Sequence, residues 1–344
     1  MTDARLETRK KMTETKLEAQ QEILRNRLVK RCRHLRKWAR RISTNAFRLY
    51  DRDIPEIPLV LDIYGDAVSG ALYKRPYEKD EAEEAIWLDA MKKAVSQALA
   101  IPENRIFLKT RQKQKGNSQY TRQDSVGFWA DIEENGLRFR VNLSDYLDTG
   151  LFLDARPRRS MLISTAKNKS VLNLFSYTCS LSVCAAYGKA AETDSVDMSN
   201  SYLEWGAVNF GLNNMEAKMI SERDFWQADT DDCRHRLIRA DVLNFLQKAA
   251  LRGKKWDIVI LDPPAFSNSK KMIVDLDIKR DYINLINQCR KLLNPGGTIW
   301  FSVNARGFRF DADKFSEYEI RTPDITDEDF KKTKPGFWIL TGKT

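Results

Sequence analysis

Histidine is almost missing: the 344 residues hold two, His34 and His235. A Ser-His-Asp hydrolase and a multi-histidine metal site are therefore not expected. Cysteine is sparse too. Cys32, Cys179, Cys184, Cys233 and Cys289 are scattered and form no CxxC pair. That argues against a zinc site and a disulfide frame, and it fits a reducing, cytoplasmic setting. No apolar run approaches the ~18 residues a membrane span needs, and mean hydropathy is −0.53. The opening MTDARLETRKKMTETK lacks the apolar stretch of a secretory signal. Neither GxGxxG nor GxxxxGK[ST] occurs, so a pyrophosphate or triphosphate has no glycine cradle. Internal repeats and low-complexity tracts are also absent.

What is present is charge in one place. Net charge is +10. Residues 1–50 carry 15 Lys/Arg and five Asp/Glu, and the rest of the chain balances at 43 of each. Within 24–41, LRNRLVKRCRHLRKWARR has nine basic residues and no acid. Leu24, Leu28, Cys32, Leu35, Ala39 and Ile42 recur at helical spacing, which predicts an amphipathic basic helix. Phosphate contacts to a nucleic acid are the functional reading. A solvated helix face or an acidic membrane surface is the alternative.

Hydrophobic residues make up 42% of the chain, enough for a sizeable core. Residues 48–76 read as a hairpin turning at Gly65-Asp66, and 80–101 as a helix. Residues 106–110 read as a strand, 111–125 as a polar basic loop, and 128–143 as a hairpin turning at Asn135-Gly136. After Asp145, short apolar runs alternate with helical stretches. Strands are predicted at 171–175, 191–197, 235–241, 256–262, 296–303 and 336–342. Helices are predicted at 180–188, 199–213, 243–251 and 280–293. This alternation predicts an α/β fold with a parallel, doubly wound sheet. The expected organisation is a basic helical extension (1–49), a small α+β module (50–145) and a Rossmann-like domain (146–344).

In such sheets ligands lie beyond the carboxyl ends of the strands. The second predicted strand ends at Asp197 and the third at Asp241. The fourth ends in Asp262-Pro263-Pro264-Ala265-Phe266. An acid after the second strand can accept ribose hydroxyls. With no phosphate cradle, a phosphate-free nucleoside such as S-adenosylmethionine fits best. Two consecutive prolines fix two φ angles and remove two donors. The stiff turn could present carbonyls and an aromatic ring to a planar base; a plain strand-to-helix turn is the bland alternative.

The segments WARR (38–41), RLYDRDIPE (48–56), LKTRQKQKGNSQY (108–120), VNLSDYLDTGLFLDARPRR (141–159), NLFSYTCS (173–180), SVDMSNSYLEWGAVNFGLN (195–213), DPPAFSNSKKM (262–272), NPGGTIWFSVNARGFRFD (294–311) and FWILT (337–341) occur in this order. With them the chain resembles the RlmK-type 23S ribosomal RNA guanine-N7 methyltransferases, usually the C-terminal half of fused RlmKL enzymes, here in free-standing form. The resemblance implies a class I methyltransferase domain behind a small α+β domain, with S-adenosylmethionine as cofactor and ribosomal RNA or a large-subunit precursor as partner. It implies no metal and no membrane. It maps the cofactor pocket onto Asp154, Arg156, Asn173, Phe175, Ser176, Tyr177, Thr178, Ser180, Asp197, Met198, Asp241, Val242 and Asp262. Asp262, Pro263, Pro264 and Phe266, with Asn304 and Arg306, would face the guanine. RNA phosphates would meet Arg31, Arg33, Arg36, Lys37, Arg40 and Arg41 on the helix and Arg111, Lys113 and Lys115 on the loop. Two departures stand out. Cys179 replaces the family's usual glycine, which lets the backbone approach the cofactor, and Ala155 replaces its histidine. The longer segment 215–233 has no assigned role.

Guanine N7 carries a free lone pair, so attack on an activated methyl requires alignment and no general base. Cytosine-C5 methylation would need a cysteine nucleophile, and the stretch Phe301-Ser302-Val303-Asn304 has none. Adenine-N6 methylation is disfavoured by Ala265 between the prolines and Phe266. An RNA-binding assembly factor impaired by Cys179 and a small-molecule methyltransferase are the remaining alternatives.

Overall fold

The computed structural model describes residues 3–73, 80–111, 127–146, 148–227, 233–267, 276–305, 307–331 and 336–343, with α1 side chains from residue 14 onward. The chain divides into two compact units. One comprises Met1–Lys115, Gln119–Gly136 and Val141–Thr149; the other comprises Gly116–Ser118, Leu137–Arg140 and Gly150–Thr344.

The first unit opens with α1 (Asp3–Arg41) and continues through β1 (Ala46–Asp51), β2 (Leu59–Tyr64), β3 (Ala67–Tyr73), α2 (Glu81–Leu99) and β4 (Ile106–Arg111). Its sheet runs β1-β2-β3-β4. The hairpin between β2 and β3 turns at Gly65, whose φ is +63°. The link from β3 to the parallel β4 is the crossover helix α2. The expected apolar stripe of α1 is real: Leu24, Leu28, Cys32, Leu35 and Ala39 are buried in one core with Leu61, Ile63, Met91 and Val95. The basic helix thus shares its core with the small module, and residues 1–49 are not set apart from it. Strands β5 (Trp129–Glu134) and β6 (Leu137–Asn142) form a separate ribbon. Its turn residues Asn135 and Gly136 both have positive φ, as a two-residue hairpin demands.

The second unit holds α3 (Arg156–Thr165), β7 (Ser170–Leu174), α4 (Ser180–Tyr187), β8 (Glu192–Asp197), α5 (Asn200–Gly211), β9 (Lys218–Ser221), α6 (Glu222–Gln227) and β10 (His235–Arg239). It continues with α7 (Val242–Leu251), β11 (Trp256–Leu261), β12 (Phe266–Ser267), β13 (Leu276–Asp277), α8 (Ile278–Arg290), β14 (Leu293–Val303), β15 (Tyr318–Arg321) and β16 (Gly336–Gly342). The eight-stranded sheet runs β15-β16-β14-β11-β7-β8-β10-β9. Central strands such as β11 (WDIVIL) are covered on both faces and, but for Asp257, read as apolar runs. Chain order moves outward one way through β7, β8 and β10 and the other way through β11 and β14. The point of reversal lies between β7 and β11. The expected all-parallel sheet is mixed at one edge, because β16 returns antiparallel to β14 and to β15. Only two short 3-10 turns (Ala312–Phe315 and Glu328–Phe330) and no α-helix separate β14 from β16 among the described residues, so the helical crossover that parallel pairing usually takes is missing. The segment 215–233 supplies the edge strand β9, paired parallel to β10, and α6.

Candidate active site at the carboxyl rim of the sheet

Beyond β7 the backbone enters a turn unusual for non-glycine residues: Phe175, Tyr177 and Cys179 have φ of +55°, +50° and +60°. Such a turn persists only when its surroundings fix it. The Asp197 carboxylate at the end of β8 does much of this. It accepts hydrogen bonds from the Tyr177 amide (2.9 Å) and the Ser199 amide (2.9 Å). Thr178 Oγ1 donates to the Gly150 carbonyl (2.6 Å), and Asn209 Nδ2 donates to the Thr178 carbonyl (2.9 Å). Ser176 donates its amide to Val196 O and accepts the Cys179 amide on its own carbonyl. Desolvation pushes the Asp197 carboxyl up to about 6, against the pull of its amide donors. It is therefore ionised at neutral pH.

Cys179 stands where the resemblance expects glycine. Its side chain is fully buried, and burial pushes the thiol up to about 12. The thiol is housed against α5 at Gly206, where a Cβ would fall 2.6 Å from Sγ. The missing side chain of Gly206 makes the room that Cys179 fills.

Tyr177 meets Tyr202 edge-on (4.6 Å) and lies tilted against Phe152 (5.3 Å). Phe152 is 44% exposed, and its carbonyl is held by Arg159 Nη1 (2.9 Å). Sequence reasoning did not single out Phe152 or Arg159. Both lie in the quoted segment 141–159, but nothing in their spacing marks a ring left open to solvent. A carboxylate capping the turn, an adjacent aromatic face and no phosphate motif suit a phosphate-free, ribose-bearing nucleoside.

The other expected cofactor residues divide. Ser176 and Thr178 build the turn, Phe175, Ser180 and Met198 are half-buried around it, and Asp154 is half-buried in a single helical turn (Leu153–Ala155). Asn173 is buried and donates to Ser182 Oγ (2.9 Å), which also accepts from Ser195 (2.7 Å), so its amide serves the sheet interior. Asp241 caps α7 by accepting the Asn244 amide (2.9 Å), and Val242 is buried. The Arg156 guanidinium is buried and engaged by Asp327 (2.6 Å) and Asp329 (3.1 Å). That long-range pairing accounts for its charge within the fold.

The Asp262 turn is held differently. Ser302 Oγ donates to Asp262 Oδ1 (2.6 Å), and Arg158 Nη1 approaches Oδ2 (3.4 Å). The Asp262 side chain is 31% exposed and that of Arg158 8%. Pro263 is buried, Pro264 half-buried and Ala265 exposed. The Ala265 carbonyl accepts the Ile278 amide (3.3 Å), and Phe266 pairs its backbone with Asp277. Arg158 and Ser302 are further residues missed in the sequence, because they reach Asp262 from elements 104 and 40 positions away. Asn304 is exposed just past β14. Lys113, Lys115 and Arg306, and the side chains of Arg111 and Phe266, lie outside the described residues.

In the first unit, Arg33, Arg36, Lys37, Arg40 and Arg41 are exposed along α1. Arg31 differs from the expectation: it is half-buried and donates Nε to the Leu49 carbonyl (2.8 Å), with Asp53 at 3.8 Å. Its guanidinium fastens α1 to β1. Among the described residues no cluster of His, Cys, Asp or Glu could hold a metal ion, and no helix is long and apolar enough to cross a membrane.

Residues 57–314 match the family of S-adenosylmethionine-dependent methyltransferases. The ribosomal RNA large subunit methyltransferase K of Neisseria meningitidis serogroup B is 42% identical over 311 residues, which cover 90% of this chain and 84% of that protein. The ribosomal RNA large subunit methyltransferase K/L of Saccharophagus degradans is 40% identical over 330 residues. These cover 94% of this chain but 42% of that longer protein, so the chain spans less than half of it. Among solved structures, SMU.776 in complex with SAH superposes with a TM-score of 0.71 at 25% identity, covering 93% of this chain and 81% of that one.

Proposed function

Because this chain belongs to the family of S-adenosylmethionine-dependent methyltransferases, we propose that it methylates large-subunit (23S) ribosomal RNA, at N7 of a guanine. The observation that carries the reading is the pair of rim turns on either side of the switch point. The Asp197-capped turn follows β7 and the Asp262 turn follows β11. The names and extents of the relatives support the RNA class.

S-adenosylmethionine, when bound, supplies a methyl already activated on a sulfonium. Asp197 would accept the ribose hydroxyls, and the Tyr177–Phe152 face would flank the adenine. Asp262, with Pro263, Pro264 and Phe266, would receive the guanine. The chain's task is alignment: the base nitrogen must lie in line with the methyl at near-contact distance. N7 gives up no proton, and the methylated ring becomes cationic. A carboxylate facing the ring is the group that steadies such a charge, and Asp262 is partly open on the rim for that role. The target atom also suits the residues after β14. Cytosine C5 would require a thiolate nucleophile, whereas this stretch reads Phe301-Ser302-Val303-Asn304, and Cys289 is fully buried with its thiol pushed up by desolvation. The exposed cations of α1 would hold RNA phosphates.

The reading of an impaired binding protein arose from Cys179. Its thiol lies against Gly206 in the core, so that motive falls away. Incubating large-subunit RNA with labelled donor, digesting it and identifying the modified nucleoside by mass spectrometry tests the proposal. Labelled N7-methylguanosine is the expected product; label at another atom rejects the target, and no label rejects the activity.

A further inference from the structure

Arg158 and Arg156 lie two residues apart at the start of α3, and both are buried. Arg156 faces Asp327 and Asp329, the latter with no exposed side-chain area, so its charge is paired away from the rim turn. The carboxylate that Arg158 meets, Asp262, remains 31% exposed on the rim. Arg158 Nε finds no hydrogen-bond acceptor among the described residues, a feature that does not by itself separate it from Arg156. Its guanidinium otherwise lies 5.9 Å from the centre of the Phe337 ring. Burying an incompletely satisfied guanidinium is a poor route to stability, and an apolar side chain of similar volume often does as well. Retaining the charge makes sense where the placement of its partner matters.

Asp262 is approached from two elements at once. Ser302, on β14, binds one carboxylate oxygen and Arg158, on α3, the other. Two donors on two different oxygens oppose rotation of the carboxylate about its Cβ–Cγ bond. The prolines at 263 and 264 stiffen the backbone that follows. The open part of the group is thereby presented in one direction.

We propose that Arg158 is a positioning residue which, with Ser302, clamps Asp262 so that its carboxylate faces the base on which positive charge develops. The inference rests on the functional reading above, in which Asp262 lies beside that base. The experiment is a double-mutant cycle of Arg158→Met and Asp262→Asn, measured by single-turnover methyl transfer to RNA. Binding of S-adenosylhomocysteine is followed by calorimetry. Arg158→Met should lower the transfer rate about 10–100-fold, the range expected for misplacement. Cofactor affinity and KM for RNA should stay within about twofold, and Arg158→Lys should recover part of the rate. In the Asp262→Asn background, adding Arg158→Met should bring no further loss, since the group being positioned has lost its charge. Equal losses in both backgrounds, or an unchanged rate, would overturn the clamp. If Arg158→Met fails to bind S-adenosylhomocysteine, Ser302→Ala goes through the same cycle. A smaller, likewise non-additive loss supports the clamp, and additivity rejects it. A wild type that labels an atom other than guanine N7 rejects the functional reading alone, because the cycle is read on whatever transfer is measured. A wild type without transfer rejects both.

Discussion

At the end of β7 three non-glycine residues hold positive φ within five positions, whereas at the end of β11 two prolines restrict the backbone by their own rings. The first turn is stiff because of what surrounds it. Asp197 caps its amides, Asn209 and Gly150 hold Thr178, and Gly206 leaves space for Cys179. The second turn is stiff by covalent structure, and it is the acid preceding it that needs help, from Arg158 and Ser302. The acids differ accordingly. Asp197 accepts the backbone amides of Tyr177 and Ser199 and is desolvated enough to sit at about 6. Asp262 is held by side chains and stays partly open. A carboxylate that shapes a pocket and one that faces a reacting base are thus told apart by their donors, although both end a strand.

The sharpest separation comes from Asp262→Asn. It should lower methyl transfer by roughly a hundredfold to a thousandfold, the range for losing one preorganised electrostatic contact. Calorimetry should find S-adenosylhomocysteine affinity nearly unchanged; a parallel loss of affinity would erase the distinction between the turns. Asp197→Ala should do the reverse. Hydrogen bonds to an ionised group contribute about 1.5–3 kcal/mol, so affinity should fall at least about tenfold.

The pH dependence sharpens this contrast. Only ionised Asp197 accepts both its amides and ribose hydroxyls, so affinity should be full well above pH 6 and decline as pH falls through about 6. The ligand-free fold should respond with the opposite sign through this residue. A raised carboxyl holds its proton more tightly folded than unfolded, so acidifying from about 6 toward the ordinary carboxylate range favours the native state. Comparing the pH profiles of melting temperature for wild type and Asp197→Asn isolates that contribution; an unchanged difference across the range would contradict it.

Gly206→Ala tests the packing behind the first turn. A Cβ 2.6 Å from the Cys179 sulfur must displace it, and overpacking of this kind costs about 1–3 kcal/mol. Adding Cys179→Gly should restore much of the stability in a denaturant titration, because φ of +60° suits glycine. No rescue would mean that the two positions are not coupled. The smallest effect on chemistry should come from neutralising Arg33, Arg36, Lys37 and Arg40 together. RNA affinity should lose about 3 in its log–log salt slope, while S-adenosylhomocysteine binding remains as it was.

The sheet was readable because its buried strands are short apolar runs bounded by turns. Strands β7, β8, β10, β11, β14 and β16 fall within a few residues of their expected bounds. Helix α3 was not, since RPRRSMLIST opens with arginines that look solvated and are in fact buried. Strand β9 is four residues long, too short for periodicity to register. At the site, Asp197 and the Asp262 turn could be read because they follow strands directly. The placement of Arg156 against Asp327 and Asp329, and of Arg158 and Ser302 against Asp262, depends on contacts 40 to 173 positions apart. Local sequence does not encode these contacts. Arg31 shows the same limit on α1, where one of several similar arginines is engaged by the backbone of β1.

The account's central claim concerns a single nitrogen. Large-subunit RNA exposed to this protein and isotopically labelled S-adenosylmethionine, then hydrolysed to nucleosides for mass spectrometry, should carry its label on N7-methylguanosine. Label recovered on adenine N6 or cytosine C5, or unlabelled RNA under saturating donor, would contradict the account.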